Sequence, residues 1–287
     1  MNYLMQEVQV SVKAALEEDI GTGDITSLLT IPDNQITSAK IIAKESGIIS
    51  GMLPVKHILD EYSFLKYTIL KDDGDNVKKG DIVLELHGHC QEILKLERTI
   101  LNYLQQLSGT ATLTNTYVSI VKKYSVAILD TRKTVPGLRY LQKKAVIDGG
   151  GENHRIGLFD AILIKENHIK AAGSIKNAVK NIKSSTEYSS LKNTPGFFLE
   201  IETETFEEVQ EACLENPDII LLDNMTDNIT QKSINFIKTN YPHIKTEISG
   251  GIDELTLEAK AQLLPDRISI GRLTHSAKTL DLSLLLS

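Results

Sequence analysis

In residues 5–20 the apolar side chains Val8, Val12, Ala15 and Leu16 are spaced to share one helical face, and Gly21 and Gly23 end the helix this predicts. From Ala39 to about Leu86 the pattern shortens to β-prone runs, AKIIAKESGIISG and YTILKDDGDNVKKGDIVLEL. Two turn signals within residues 73–81 flank a short strand, and the stretch reads as scaffold. Helical spacing returns over residues 92–123, where Ile93, Leu96, Ile100, Leu104, Leu107 and Ala111 follow at intervals of three and four. Ser108-Gly109 within that run marks a break between two helices or a point of tight packing.

After Lys123 the pattern becomes strand, loop, helix, repeated. The strand candidates are 126–130, 161–164, 196–202, 218–223, 246–250 and 267–271, with helical segments at 174–182, 205–215, 230–239 and 254–263 between them. Apolar strands alternating with helices predict parallel strands joined by right-handed crossovers. The absence of a Gly-x-Gly-x-x-Gly turn favours an α/β barrel over a dinucleotide-binding sheet. The expected division is an N-terminal domain over 1–112 and a barrel domain over 113–273, with the tail 274–287 packing back on the first.

Composition narrows function more than fold. Over 287 residues, 41% hydrophobic and 24% charged are values of an ordinary soluble globular enzyme. A net charge of −7 argues against nucleic acid or an anionic membrane as the main partner. It leaves room for a small anionic substrate held by a local cluster of cations. Cys90 and Cys213 fit neither a metal spacing nor a disulfide framework, which points to a reducing compartment. The N-terminus lacks the apolar core of a signal peptide, and no apolar run approaches a membrane span. These features predict a cytoplasmic protein.

In a barrel the catalytic groups project from the carboxyl ends of the strands. Here those ends read Thr131-Arg132-Lys133, Lys165-Glu166-Asn167-His168, Glu202, Asp223-Asn224, Ser249-Gly250-Gly251 and Gly271, with Thr274-His275-Ser276 just beyond. Gly250-Gly251 permits close backbone approach, and a helix starting near Asp253 would offer free N–H groups to a phosphate. Gly271 on the next strand supplies the second half of such a phosphate site. A glycine triplet, Gly149-Gly150-Gly151, leads into Glu152-Asn153-His154-Arg155. His154 and Arg155 join Arg132, Lys133 and Lys165 as basic groups converging on one mouth. Glu202 and Asp223, joined by Glu166 and Glu200, are the only acids placed to share it. Buried cations require anionic company, so a polyanionic substrate is predicted. Arg98 lies on a helix of the first domain, where an arginine alone reads as a solvated charge.

Together these residues resemble the quinolinate phosphoribosyltransferases. The segments that carry the resemblance are EDIGTGDITS (18–27), ERTILNYLQQLSGTAT (97–112), DTRKTVPGLR (130–139), GGGENHRIGLFDAILIKENHI (149–169), LEIE (199–202), LLDN (221–224), EISGG (247–251) and ISIGRLTHS (268–276), in order along almost the entire chain. The resemblance implies an N-terminal α/β sandwich domain and an incomplete α/β barrel of fewer than eight strands. It implies transfer of phosphoribosyl from phosphoribosyl pyrophosphate to quinolinate with decarboxylation, and Mg2+ as cofactor. It further implies a homodimer, with hexamers a possible further assembly, in which Arg98 enters the partner's site. By motif, Arg132, His154 and Arg155 hold the two carboxylates, and Lys133 and Lys165 contact quinolinate or the phosphates. Glu202 and Asp223 serve the ribose and Mg2+, and Ser249, Gly250, Gly251, Gly271 and His275 the 5′-phosphate. Glu166, where aspartate is frequent, and Arg272, where small or apolar residues are common, depart from the pattern. Other readings are a molybdenum-transport-associated homologue of the same fold, a Schiff-base aldolase using Lys165, and a binding subunit without catalysis.

Overall fold

The computed structural model describes residues 3–62 and 64–287. In chain order the elements begin α1 (Tyr3–Ile20), α2 (Ile25–Thr30), β1 (Ile36–Ala43), β2 (Gly47–Ile48), α3 (Met52–Glu61), β3 (Lys66–Ile69), β4 (Asn76–Val77), β5 (Ile82–His89) and α4 (Cys90–Val121). They continue β6 (Ala127–Leu129), α5 (Arg139–Asp148), β7 (Ile162–Ile164), α6 (Glu166–Ala172), α7 (Ile175–Lys183), α8 (Thr186–Leu191), β8 (Leu199–Thr203) and α9 (Phe206–Leu214). The chain ends with β9 (Ile219–Asp223), α10 (Asp227–Asn240), β10 (Lys245–Ser249), α11 (Leu257–Gln262), β11 (Arg267–Ser269), α12 (Arg272–His275) and β12 (Leu282–Leu286). Two compact units result. One gathers residues 1–116, 133–151 and 272–287, the other 117–132 and 152–271.

The first unit is built on a four-stranded antiparallel sheet in the order β12-β1-β5-β3, with a two-stranded β2-β4 ribbon. The C-terminal strand reaches the sheet by pairing with β1, Ala39 opposite Leu286. The helical stripe of α4 closes the core: Ile93, Leu96, Ile100, Leu104, Leu107 and Ala111 are all buried. Of the two readings of Ser108-Gly109, tight packing holds, since α4 runs unbroken through both residues. A Cβ on Gly109 would collide with the Lys278 carbonyl oxygen. Residues 133–151, placed with the barrel by the sequence pattern, group with this first unit instead. The Glu7 carboxylate on α1 accepts the Tyr140 and Leu141 N–H groups (3.0 and 2.8 Å), satisfying two open amides at the start of α5.

The second unit is a six-stranded parallel sheet in the order β6-β11-β10-β9-β8-β7, with helices between successive strands. Its strands are apolar where they meet the helices, as in Leu199, Ile201, Ile220, Leu222, Ile248 and Ile268, all buried. Among the described residues β6 and β7 do not pair, so the strand ladder is open at that point. Part of the gap beside β6 is taken by Glu152, which bridges Leu129, donates its N–H to the Ile128 carbonyl (2.8 Å) and accepts the Asp130 N–H (3.2 Å). This single bridging residue fixes the two that follow Asn153, namely His154 and Arg155.

Candidate active site

Alternate residues of a strand share a face. On β8 that puts Glu200 with Glu202, on β10 Glu247 with Ser249, and on β11 Arg267 with Ser269. Each strand thus carries a polar group one step below its end, in a position where apolar side chains usually fill the interior of a parallel sheet. Glu200 and Glu247 have no exposed surface, and His154 and Arg155 keep only 7% and 8%.

These buried groups form one cluster. His154 Nε2 stands 2.9 Å from Glu200 Oε2 and 3.5 Å from Glu247 Oε1. Arg267, the ladder partner of Glu247, donates Nε–H to that residue's other carboxylate oxygen. The backbone clamps the histidine from the opposite side: its own N–H donates to Asp130 Oδ1 (2.9 Å), and the Arg155 N–H donates to its Nδ1 (2.7 Å). Burial alone would depress the imidazole pKa, but the hydrogen bonding and charge of Glu200 and Glu247 outweigh it and raise the value to about 9. Burial and the charge of Glu247 raise Glu200 to about 7. Burial also opposes ionisation of Glu247, yet His154 and Arg267 pull it down to about 2. The raised imidazole pKa favours a proton on both ring nitrogens, whereas the Arg155 N–H needs Nδ1 as an acceptor. At 2.7 Å the geometry leaves no room for that proton. The ring therefore carries its hydrogen on Nε2, where it faces Glu200.

Next to this cluster stand two guanidinium groups. Burial, and then the charge of Arg132, lower the pKa of Arg155, with Glu200, Asp160 and Glu202 acting in the other direction. Arg132 Nε is buried and has no hydrogen-bond partner among the described residues. Two neighbouring guanidinium groups, one with a buried N–H that has no partner among the described residues, have the chemistry to pair with anionic oxygens. At the end of β7, Lys165 Nζ is bonded to Glu202 across the β7–β8 ladder. Asp223 closes β9 and accepts from Asn224 Nδ2 (2.6 Å). Glu204 belongs to the same group of acids: slight burial, then the charges of Glu166, Glu208, Asp223 and Glu202, raise its carboxyl pKa. This rim is thus more acidic than the sequence pattern implied.

At the end of β10 the chain turns through Ser249, Gly250 and Gly251, the two glycines at φ of +96° and +60°. A Cβ on Gly250 would collide with the Asn224 side chain. Asn224 is itself left-handed at φ +53°, and its N–H donates to the Ser249 carbonyl (3.1 Å), so the ends of β9 and β10 interlock. The helix expected near Asp253 begins only at Leu257. The Leu255 and Thr256 N–H groups are taken by Asp253 Oδ1 at 3.1 and 3.0 Å. The amides ahead of that helix are therefore already bonded within the chain. Gly271 follows β11 in the same unit. The other three residues singled out in the sequence belong to the first unit. Arg98 is exposed on α4, Lys133 is exposed with its carbonyl accepting from Thr274 Oγ1 (2.7 Å), and His275 is exposed with Nδ1 2.5 Å from Ser276 Oγ.

Residues 24–108 match the N-terminal domain, and residues 110–285 the C-terminal domain, of quinolinate phosphoribosyl transferase. The chain belongs to that family. The quinolinate phosphoribosyl transferase fold is confirmed by the solved structure of the nicotinate-nucleotide pyrophosphorylase from Francisella tularensis. That structure has a TM-score of 0.89 and 38% identity, covering 98% of this chain and 96% of its own. The probable nicotinate-nucleotide pyrophosphorylase (carboxylating) of Bacillus subtilis is 43% identical over 270 residues, 93% of this chain and 89% of that protein. The chloroplastic nicotinate-nucleotide pyrophosphorylase (carboxylating) of Arabidopsis thaliana is 39% identical over 293 residues, 97% and 82% of the two chains.

In this chain the sequence pattern did not single out Glu247, Arg267 and Glu204, and placed Glu200 only at the margin of the site. The signal was a polar residue two positions before the end of an apolar strand, in LEIE, TEIS and RIS.

Proposed function

We infer that the chain transfers the phosphoribosyl group of phosphoribosyl pyrophosphate to the ring nitrogen of quinolinate, releasing pyrophosphate and CO2 and leaving nicotinate mononucleotide. The names of its relatives support this reaction over that of the molybdenum-transport-associated branch. The observation that carries it is the Arg132–Arg155 pair, whose mutual repulsion and unpartnered buried Nε call for a dicarboxylate. Bidentate guanidinium–carboxylate bonds fix the ring plane, and a monocarboxylate leaves one buried cation unmatched.

Departure of pyrophosphate leaves positive charge at the anomeric carbon, as in glycoside cleavage. Glu202 and Asp223, at the ends of neighbouring strands, face that charge, and electrostatic stabilisation of this kind is the largest contribution in such catalysis. Lys165, tied to Glu202 before substrate arrives, is free to turn to a carboxylate or phosphate once one is bound. After transfer the cationic ring nitrogen stabilises the carbanion left at C2 when CO2 departs, a proton from water completes the new C–H bond, and no protein nucleophile is required. Glu202 and Asp223 each commit one carboxylate oxygen to Lys165 or Asn224 and keep the other outside that bond. Such hard oxygen donors, in a rim crowded with acids, suit Mg2+, which when bound neutralises the pyrophosphate leaving group.

Ser249, Gly250, Gly251 and Gly271 take the 5′-phosphate. Arg98 completes the site of a second subunit in a homodimer; its exposure on α4 supports this role. Two buried free cysteines support work in the reducing cytoplasm, and among the described residues no helix is long and apolar enough to cross a membrane. Calorimetric titration tests the recognition step: quinolinate binds and nicotinate binds far more weakly, and equal affinities refute it. Mixing inactive Arg98→Ala protein with inactive Glu202→Gln protein restores part of the activity if Arg98 acts across the interface. No recovery after subunit exchange refutes that role.

A further inference from the structure

Beneath the arginine pair lie two fully buried carboxylates that the transfer reaction does not use. Apolar residues normally fill this layer of an α/β sheet, and exchanging buried ion clusters for them is frequently neutral or stabilising. Stability alone therefore does not explain Glu200 and Glu247. What they touch is the histidine next to Arg155. His154 is held on every side: Asp130 accepts its N–H, Glu200 and Glu247 face Nε2, and Phe198 packs edge-on at 5.6 Å. Phe198 in turn carries the Arg267 guanidinium 5.3 Å above its ring, and Arg267 secures Glu247. The remaining ring nitrogen, Nδ1, takes the Arg155 N–H at 2.7 Å. The imidazole thus has both nitrogens occupied within the protein, and its orientation fixes the peptide from which the Arg155 side chain departs.

We propose that Glu200, acting through His154 and supported by Glu247 and Arg267, is the positioning residue that sets the Arg155 guanidinium for recognition of the dicarboxylate. This rests on the reaction inferred above and goes beyond it by moving His154 from direct substrate contact to the support beneath. Glu200 also lies near enough to Arg155 to offset its charge, so that the arginine pair tolerates its own repulsion before substrate arrives. One other occupant is conceivable, because the facing ligand atoms of His154, Glu200 and Glu247 lie within 4.8 Å of one another, a spacing able to enclose a divalent cation. The guanidinium already bonded to Glu247 disfavours a second positive charge there.

The test uses the whole enzyme. In Glu200→Gln, KM and Kd for quinolinate rise roughly ten- to a hundredfold, the scale for a group that orients a ligand-holding histidine, while KM for phosphoribosyl pyrophosphate stays unchanged. Glu200→Leu, in protein whose circular dichroism stays native, shows the same loss of quinolinate affinity, which separates positioning from mere structural support. Wild-type quinolinate binding in both variants overturns the proposal, as does an equal loss for both substrates. Nitrogen-15 NMR of the unmodified enzyme reads His154 independently of turnover: a single Nε2–H tautomer supports the proposal and a proton on Nδ1 overturns it. Stoichiometric divalent metal in the purified protein, retained until chelation, also overturns it. If the unmodified enzyme fails to turn over quinolinate, the inferred reaction fails, while the NMR result still decides the geometry around His154.

Discussion

Replacing Gly250 by alanine perturbs the turn assigned to the 5′-phosphate, and two costs of that change can be separated. The residue stands at φ +96°, a left-handed conformation whose penalty for a residue with a Cβ is about 1–2 kcal/mol. The new methyl also runs into Asn224, whose backbone nitrogen lies 2.9 Å away and whose side chain is nearer still. The amide can swing aside but the backbone nitrogen cannot, so over-packing adds about 1–3 kcal/mol. The sum is about 2–5 kcal/mol. Gly251→Ala is the control, because Gly251 is left-handed at φ +60° with nothing within 4 Å of the added methyl. It bears only the conformational part, about 1–2 kcal/mol. Urea denaturation followed by circular dichroism measures both. The turn can also relieve the collision by moving, and movement displaces the phosphate seat, so KM for phosphoribosyl pyrophosphate rises in Gly250→Ala while KM for quinolinate holds. Equal destabilisation by the two substitutions, with phosphoribosyl pyrophosphate KM unchanged in both, refutes the reasoning.

Other substitutions probe separate parts of the account. Lys165→Met removes an exposed cation, so circular dichroism stays native while kcat falls about a hundred- to a thousandfold, the scale for losing one electrostatic partner of a transition state. Turnover within a few-fold of wild type counts against the role of Lys165. Gly109→Ala forces a Cβ against the Lys278 carbonyl and lowers stability by about 1–3 kcal/mol, measured by thermal denaturation; an unchanged transition contradicts the packing described for α4. Burial raises the Cys213 thiol to about 11, so its thiolate is scarce at pH 8 and becomes abundant only as the pH approaches that value. Iodoacetamide labelling of native protein, located by mass spectrometry, is therefore slow at pH 8. Fast labelling there at Cys213 shows that the thiol is not buried.

Much of the fold was legible because periodicity and burial coincide. The α4 stripe from Ile93 to Ala111 and the six strand runs after Lys123 have one dominant spacing each, and packing leaves such segments little choice. Residues 133–151 were harder to place. They look like one more barrel connection, yet side chains distant in sequence, Glu7, Ser50 and Asp73, bond α5 to the first unit. The local pattern at Asp253 was likewise ambiguous, since an Asp before a helical run reads as a helix start whether its carboxylate caps the helix or closes a turn first. The strand ends declared their chemistry through position, but Glu247 and Arg267 are informative only as a cross-strand pair, and pairing requires the register. The named substrate and the cross-subunit arginine were never written in spacing; they came with the family.

The central claim is a decarboxylating phosphoribosyl transfer specific for a pyridine dicarboxylate. The most direct measurement incubates the purified protein with phosphoribosyl pyrophosphate, Mg2+ and quinolinate carrying a labelled 2-carboxyl group, in parallel with nicotinate in place of quinolinate. The account predicts labelled CO2 and nicotinate mononucleotide in equal amounts from quinolinate and no nucleotide from nicotinate. Nucleotide formed from nicotinate at a comparable rate, or no labelled CO2 from quinolinate, contradicts it.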